Sequence, residues 1–252
     1  NKTCFYAESG GQVGDCGMIK TDDAAFAVET TEKIADCVLH RGKLLSGSLW
    51  VGDQVQAVVD SKRQASRKNH TATHLLQWAL QSVLGKSVKQ QGSLVCPDYL
   101  RFDFTWGKAL TKEQIQQIET LVQEKIEAAL PVMTAVMGID EAKKLGAMAL
   151  FGEKYGDVVR VLAIGAANKD QIKEALSREF CGGTHVSNTA DIGGFAIQKE
   201  ESIASGVRRI TALTGPGLVR HLLSRSRVVD ELIETLKAPA DQITRSEEHT
   251  SE

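Results

Sequence analysis

A chain of 252 residues, 42% hydrophobic and 25% charged, has the composition of an ordinary globular protein with a sizeable core, room enough for one large or two medium domains. A formal charge of −2 excludes a uniformly basic nucleic-acid coat and leaves room for local basic patches. No apolar run reaches the length of a membrane span and no secretory signal opens the chain; five scattered cysteines make no disulfide framework, so a reducing cytoplasm is expected. The start at Asn1 rather than Met reads as a segment of something longer.

The first stretch, Thr3-Cys4-Phe5-Tyr6-Ala7-Glu8-Ser9-Gly10-Gly11-Gln12-Val13-Gly14-Asp15, ends in a glycine-punctuated turn. Paired glycines permit positive φ and close backbone approach, which leaves two readings open: a tight turn between strands, or a loop lining a substrate site. Short strands are expected at 25–29, 34–40 and 54–59, broken by Arg41-Gly42 and Gly52-Asp53. They read as a small barrel-like β unit over residues 1–60. Leu49, Trp50 and Val51 would form its buried edge, and His40, with no partner at metal spacing, would be structural.

Asp60 or Ser61 can cap a long helix that follows. Lys62, Arg63, Arg67 and Lys68 at its start oppose the helix dipole, and they read either as solvated surface or as a grip on a phosphate backbone. Next comes Asn69-His70-Thr71-Ala72-Thr73-His74-Leu75-Leu76, where two histidines four apart project from one helix face. Ala72, Leu75, Leu76, Ala79, Leu80, Val83 and Leu84 form the opposite, core-facing stripe, and the histidine side continues as Gln77 and Gln81. Two histidines in register on a polar face are best explained by something that both hold. Far downstream, Cys181-Gly182-Gly183-Thr184-His185 supplies a matching half on a loop that its glycines let turn tightly. Three imidazoles and one thiolate form a ligand set suited to tetrahedral zinc.

Strands are expected at 87–95 and 100–105, joined by Pro97-Asp98. Thr111 caps an amphipathic helix with Ile115, Ile118, Leu121, Val122 and Ile126 at helical spacing, and Leu130-Pro131 ends it. A strand at 132–137, a short helix at 140–145, a strand at 158–164 and a short helix between Asp170 and Arg178 follow. Strands at 194–201 and 207–213 precede a helix over 216–237 with an apolar stripe of Leu218, Leu222, Val229, Leu232, Ile233 and Leu236. The mixture lacks a βαβ rhythm, so the fold class is α+β. A larger mixed α/β domain with the zinc site spans 61–215 and a helix spans 216–244. The polar residues 245–252, His249 included, read as a non-native tail.

The stretch 5–15, the His70/His74 pair, Gln91-Gly92-Ser93-Leu94-Val95, Leu100-Arg101-Phe102-Asp103-Phe104, the stretch 181–186 and Gly206-Val207-Arg208-Arg209-Ile210 occur in one order. That ordered set closely resembles the editing domain of bacterial alanyl-tRNA synthetase over about residues 3–243, and is related to free-standing alanyl-tRNA editing proteins. The resemblance implies an aminoacyl-tRNA deacylase, part of an alanine–tRNA ligase, that hydrolyses Ser-tRNA(Ala) and Gly-tRNA(Ala) and spares Ala-tRNA(Ala). A pocket that accepts alanine rejects glycine by only ~1–3 kcal/mol and serine by roughly a hundredfold, so a second, hydrolytic site is needed. Alanine activation, with its ATP, would belong to a domain upstream of this segment.

The resemblance also implies roles for particular residues. By the resemblance His70, His74, Cys181 and His185 would hold Zn2+. Four protein ligands would close the site and make zinc structural or orienting, and three would leave room for a water or a substrate group; our expectation is that Cys181 is the exchangeable ligand and that zinc orients the aminoacyl end and polarises nearby water. Thr73 and Gln90 would face the serine hydroxyl. Arg63, Arg67, Arg208 and Arg209 would hold the acceptor end of the tRNA, with ordinary surface salt bridges as their alternative. The helix after Pro216 resembles the start of the family's oligomerisation and tRNA-binding region, so self-association through it is expected, and no membrane partner is. Two rival readings stand beside these. A zinc metallopeptidase of HExxH type needs a glutamate base where this chain has Thr71-Ala72-Thr73. A structural zinc module would bind tRNA without hydrolysing anything.

Overall fold

The structure is a computed structural model that describes residues 2–35, 37–149 and 155–243; the tail at 245–252, with His249, lies outside the described residues. Near the N-terminus, β1 (Gly17–Lys20), β2 (Ala25–Ile34), β3 (Cys37–Ser46) and β4 (Gln56–Val59) form an antiparallel sheet in the order β3-β2-β1-β4. Its end strands do not pair with each other, so the expected barrel-like unit is an open sheet. Two of the four strands are only four residues long, too short to curl the sheet through a full turn.

The breaks between these strands also differ from expectation. Ala35 takes φ 52° and turns the chain between Ile34 and Cys37, which splits the strand expected at 34–40. Gly42, expected to break a strand, sits inside β3, where a Cβ would run into the Ala27 carbonyl oxygen. Trp50 and Val51, expected to be buried, are 75% and 108% exposed at the tip of a turn closed by Asp53 N donating to Trp50 O.

α1 (Lys62–Leu84) is the central element, begun by Asp60 Oδ1 accepting from Lys62 N at 2.8 Å. Its stripe of Ala72, Leu75, Leu76, Ala79 and Leu80 is fully buried. The face expected to be wet is buried too: Asn69, His70, Thr73, His74 and Gln77 all lie inside the protein. α1 is thus a helix enclosed on both sides and not an amphipathic surface helix.

On the apolar side stand β5 (Gln90–Val95), β6 (Leu100–Thr105), β10 (Phe195–Ala204) and β11 (Val207–Thr214), in the order β10-β11-β6-β5. α2 (Lys112–Glu127) starts in a capping box in which Thr111 and Gln114 satisfy each other's backbone N–H groups. Ile118, Val122 and Ile126 of α2 share one core with the α1 stripe, Phe102 and Phe104 of β6, and Ile210 of β11.

The third sheet carries the other half of the site. β7 (Val132–Gly138), β8 (Val158–Ile164) and β9 (Ser177–Phe180) pair antiparallel in that order, with α3 (Ile139–Lys144) packing its Ala142 into their core. The helix expected between Asp170 and Arg178 is a 3-10 turn over Lys169–Glu174 followed by β9. β9 packs against α1 and leads straight into the 181–185 loop.

The chain divides into two compact units, Asn1–Gly215 and Pro216–Glu252. The second contains the body of α4 (Gly215–Leu236) and α5 (Ala240–Ile243), and Leu222, Val229, Leu232 and Leu236 of the expected stripe are exposed. Among the described residues no helix is long and apolar enough to cross a membrane, and none of the five cysteines is in a disulfide.

Candidate metal centre

Helical spacing stacks His70 and His74, with ring centroids 5.4 Å apart and planes at 13°. The loop after β9 brings Cys181 and His185 against them. Cys181 Sγ lies 3.5 Å from His70 Nε2 and 3.2 Å from His185 Nε2. One ligand atom from each of the four residues lies within 4.8 Å of the others, close enough to hold one metal ion.

Each imidazole is held from behind through Nδ1. His70 Nδ1 donates to Gln12 Oε1 at 2.7 Å, His74 Nδ1 sits 2.9 Å from Glu179 Oε2, and His185 Nδ1 sits 3.3 Å from Thr71 Oγ1. Such partners set the tautomer of a metal-binding histidine and turn its Nε2 toward the ion. Among the described residues His74 Nε2 is buried with no hydrogen-bond partner, a costly state that a bound cation would relieve. Three imidazole nitrogens and a thiolate suit a tetrahedral, borderline-soft divalent cation, so the residues present fit such a group.

The electrostatics agree. Burial pushes the Cys181 thiol up, but the imidazoles of His70 and His185 outweigh it and hold the thiol well below its usual range, favouring the thiolate that binds metal. Burial, helped by His70, pushes His185 down to about 3, leaving a neutral ligand at neutral pH. Burial alone would lower His74 as well, yet Glu179 and Cys181 raise it to about 10, so an incoming metal must displace a proton there.

Two supporting residues gave no signal in the sequence. Gln12 is wholly buried: besides its bond from His70, its Oε1 accepts from Thr184 N at 2.8 Å and its Nε2 donates to Thr184 Oγ1 at 2.9 Å. The glycine-punctuated loop is therefore a wall of this site, docked on the edge of β5 by Val95 N donating to Gly11 O at 2.7 Å. Glu179, also buried, accepts from Ser177 Oγ at 2.6 Å through its other oxygen. A lone glutamine and a lone glutamate have no spacing signature when their partners lie far along the chain. Gln12→Leu and Glu179→Gln should each weaken divalent-metal affinity by about 10–100-fold, measured by chelator competition on variants whose circular dichroism is unchanged.

Two cavities flank the 181–185 loop. The smaller, about 70 Å³, is bounded by Tyr6, Ser9, Thr73, Gln90, Ser93 and Tyr155 together with His70, His74 and Cys181. Thr73 and Gln90 both reach it, with Thr73 Oγ1 donating to Asn69 O at 2.9 Å and Gln90 Nε2 to Ser93 Oγ at 3.2 Å. The larger, about 410 Å³, is lined by Arg63, Arg67, Arg160 and loop backbone. Arg208 and Arg209 line neither cavity: Arg208 bonds Glu200 at 2.7 Å, and Arg209 bonds both oxygens of Asp103 at 2.6 and 2.7 Å. Arg63 is paired with Asp15 and donates to Cys4 O at 2.6 Å. A wider groove of about 770 Å³ on the N-terminal sheet, beside Asp23 and Trp50, has no histidine or cysteine in its walls.

Residues 1–63 match the family model for tRNA synthetases class II (A), and residues 159–211 match that for the threonyl and alanyl tRNA synthetase second additional domain. Over 96% of its length the chain is 48% identical to the alanine–tRNA ligase of Haemophilus influenzae and 51% identical to that of Delftia acidovorans. The corresponding protein of Leptospira biflexa is 48% identical over 93% of the chain. The chain is similar over nearly its whole length to one segment of the alanine–tRNA ligases. It spans 25–27% of the length of these ligases, and so corresponds to a segment of one. Within the ligase segment, the first match contains Gln12 and the N-terminal sheet, and the second contains Glu179, Cys181 and His185. His70 and His74 fall between the two.

Proposed function

We propose that this segment is the proofreading part of an alanine–tRNA ligase, a zinc-dependent deacylase that hydrolyses Ser-tRNA(Ala) and Gly-tRNA(Ala) and spares Ala-tRNA(Ala). Similarity to alanine–tRNA ligases supports the reading, and one observation carries it: a cluster of three buried histidines and a partly buried cysteine beside a cavity of about 70 Å³. His70, His74, Cys181 and His185 would hold Zn2+, which when bound supplies Lewis acidity for a carbonyl or a nearby water.

Four protein ligands close a tetrahedral site, so one must give way for substrate to approach. Cys181 is the proposed one. The three histidines are held from behind by Gln12, Glu179 and Thr71, whereas the only described partners of Cys181 Sγ are the imidazoles. Thr73 Oγ1 donates to Asn69 O and keeps lone pairs to accept from a seryl hydroxyl, and Gln90 can meet the same group by releasing Ser93. A glycyl ester leaves space for a water at that place. An alanyl methyl would displace the water without replacing its bonds, at a cost of ~1–3 kcal/mol.

In this reading the N-terminal glycine-rich β unit spans 1–60, the editing domain 61–215 and the helix toward further ligase domains 216–244. The protein would act in the cytoplasm, with alanine activation and its ATP assigned to the rest of the full-length ligase. Arg63 and Arg67 are the proposed contacts to the acceptor end; Arg208 and Arg209 can add only the N–H groups that their carboxylates leave over. The exposed stripe of α4 is the proposed self-association surface.

Deacylation of Ser-, Gly- and Ala-charged tRNA(Ala), with and without a chelator, tests the proposal. Turnover of the first two and not the third is expected, lost on chelation and restored by zinc. Bound zinc and bound tRNA with no turnover would select the rival, a structural zinc module.

A further inference from the structure

Gly182 and Gly183 line both the small metal-side cavity and the larger cleft, so one thin stretch of backbone separates two openings. The small cavity has no lysine or arginine in its walls, whereas the cleft has three arginines and no carboxylate. Asp15 neutralises Arg63. Among the described residues Arg67 and Arg160 have no carboxylate partner. They bond the loop's carbonyls instead: Arg67 Nε donates to His185 O at 2.5 Å, and Arg160 Nη1 donates to Cys181 O at 3.0 Å and Gly183 O at 2.6 Å. A guanidinium has five N–H donors, so both keep donors to spare and a full charge that carbonyl dipoles do not cancel.

We propose that Arg67 and Arg160 form a phosphate subsite that takes the last internucleotide phosphodiester of an RNA 3′ end, while the terminal ester crosses Gly182-Gly183 into the metal-side cavity. This rests on the deacylase reading, which puts an aminoacyl ester in that cavity. The small cavity supplies no charge for the backbone of such a substrate, and the adjoining cleft supplies two. Two guanidiniums can engage the two non-bridging oxygens of one phosphodiester. A Cβ on Gly182 would meet nothing within 4 Å, so the space beside the backbone at Gly182 is unfilled.

The test measures binding of a CCA-ended RNA hairpin carrying a non-hydrolysable 3′-seryl amide, beside the same hairpin with its last phosphodiester replaced by a neutral methylphosphonate. Wild type should bind the neutral hairpin about tenfold more weakly, with the slope of log affinity against log salt reduced by about 0.7–0.9. Arg67→Gln and Arg160→Gln, at wild-type metal content, should bind the two hairpins alike. If a glutamine variant loses metal, Arg67→Lys or Arg160→Lys replaces it, keeping the charge without the planar fork, and the penalty should shrink at least about threefold. Equal binding of the two hairpins by wild type, or an undiminished penalty in both variants, would overturn the subsite. Phosphate-dependent binding without hydrolysis of Ser-tRNA(Ala) would overturn the deacylase reading and leave the subsite standing; hydrolysis without phosphate dependence would do the reverse.

Discussion

Cys181→Ala should lower zinc affinity by about two orders of magnitude or more and remove most Ser-tRNA(Ala) deacylation. A structural zinc site binds with ~10–16 kcal/mol, and a quarter of that, roughly 3 kcal/mol, corresponds to about a hundredfold. The thiolate is the one anionic ligand of the set, so its loss also leaves the ion's charge uncompensated in a buried place. His74→Ala should be at least as damaging, because it strands the buried Glu179 carboxylate without its partner. Metal content after dialysis against a weak chelator, measured beside deacylation, reads both effects. Full zinc together with full deacylation in Cys181→Ala would remove the basis for a metal-centred reaction.

Gly183→Ala should disable the site about as thoroughly as removal of His70, whereas Gly182→Ala should leave metal affinity unchanged to within about twofold. The reason is space, since neither glycine takes a left-handed backbone. A Cβ on Gly183 would land on Cε1 and Nδ1 of the His70 ring, with Gln12 Oε1 3.0 Å away. His70 has little freedom to retreat, because its Nδ1 is bonded to Gln12. Overpacking there should also cost about 1–3 kcal/mol of stability. Zinc titration and urea unfolding of the two variants check this, and equal zinc affinities in both would show that the loop does not press on His70 as described.

Much of the fold was legible wherever local physics decides it. The Thr111 cap, the strand at 158–164 and the apolar stripe of α1 are written in neighbouring residues and came out as expected. The split between β2 and β3 was hidden because a non-glycine residue, Ala35, adopts the positive φ at that turn. Trp50 and Val51 read as core by composition, yet they cap a turn that nothing covers within the described structure.

The sequence by itself determined which side chains share a face of α1 and which chemistry they can offer: His70 and His74 one helical turn apart, with Cys181 and His185 on a glycine-bearing loop. Only the tertiary structure decided that the histidine face is buried, because periodicity orders residues around a helix axis and says nothing of what lies beyond them. What lies there is β9, the 181–185 loop and the N-terminal glycine loop: they bring Glu179 to His74, Gln12 to His70, and His185 itself to Thr71 of α1. Those contacts join residues far apart along the chain, so they arise from how the layers dock and leave no local pattern to read.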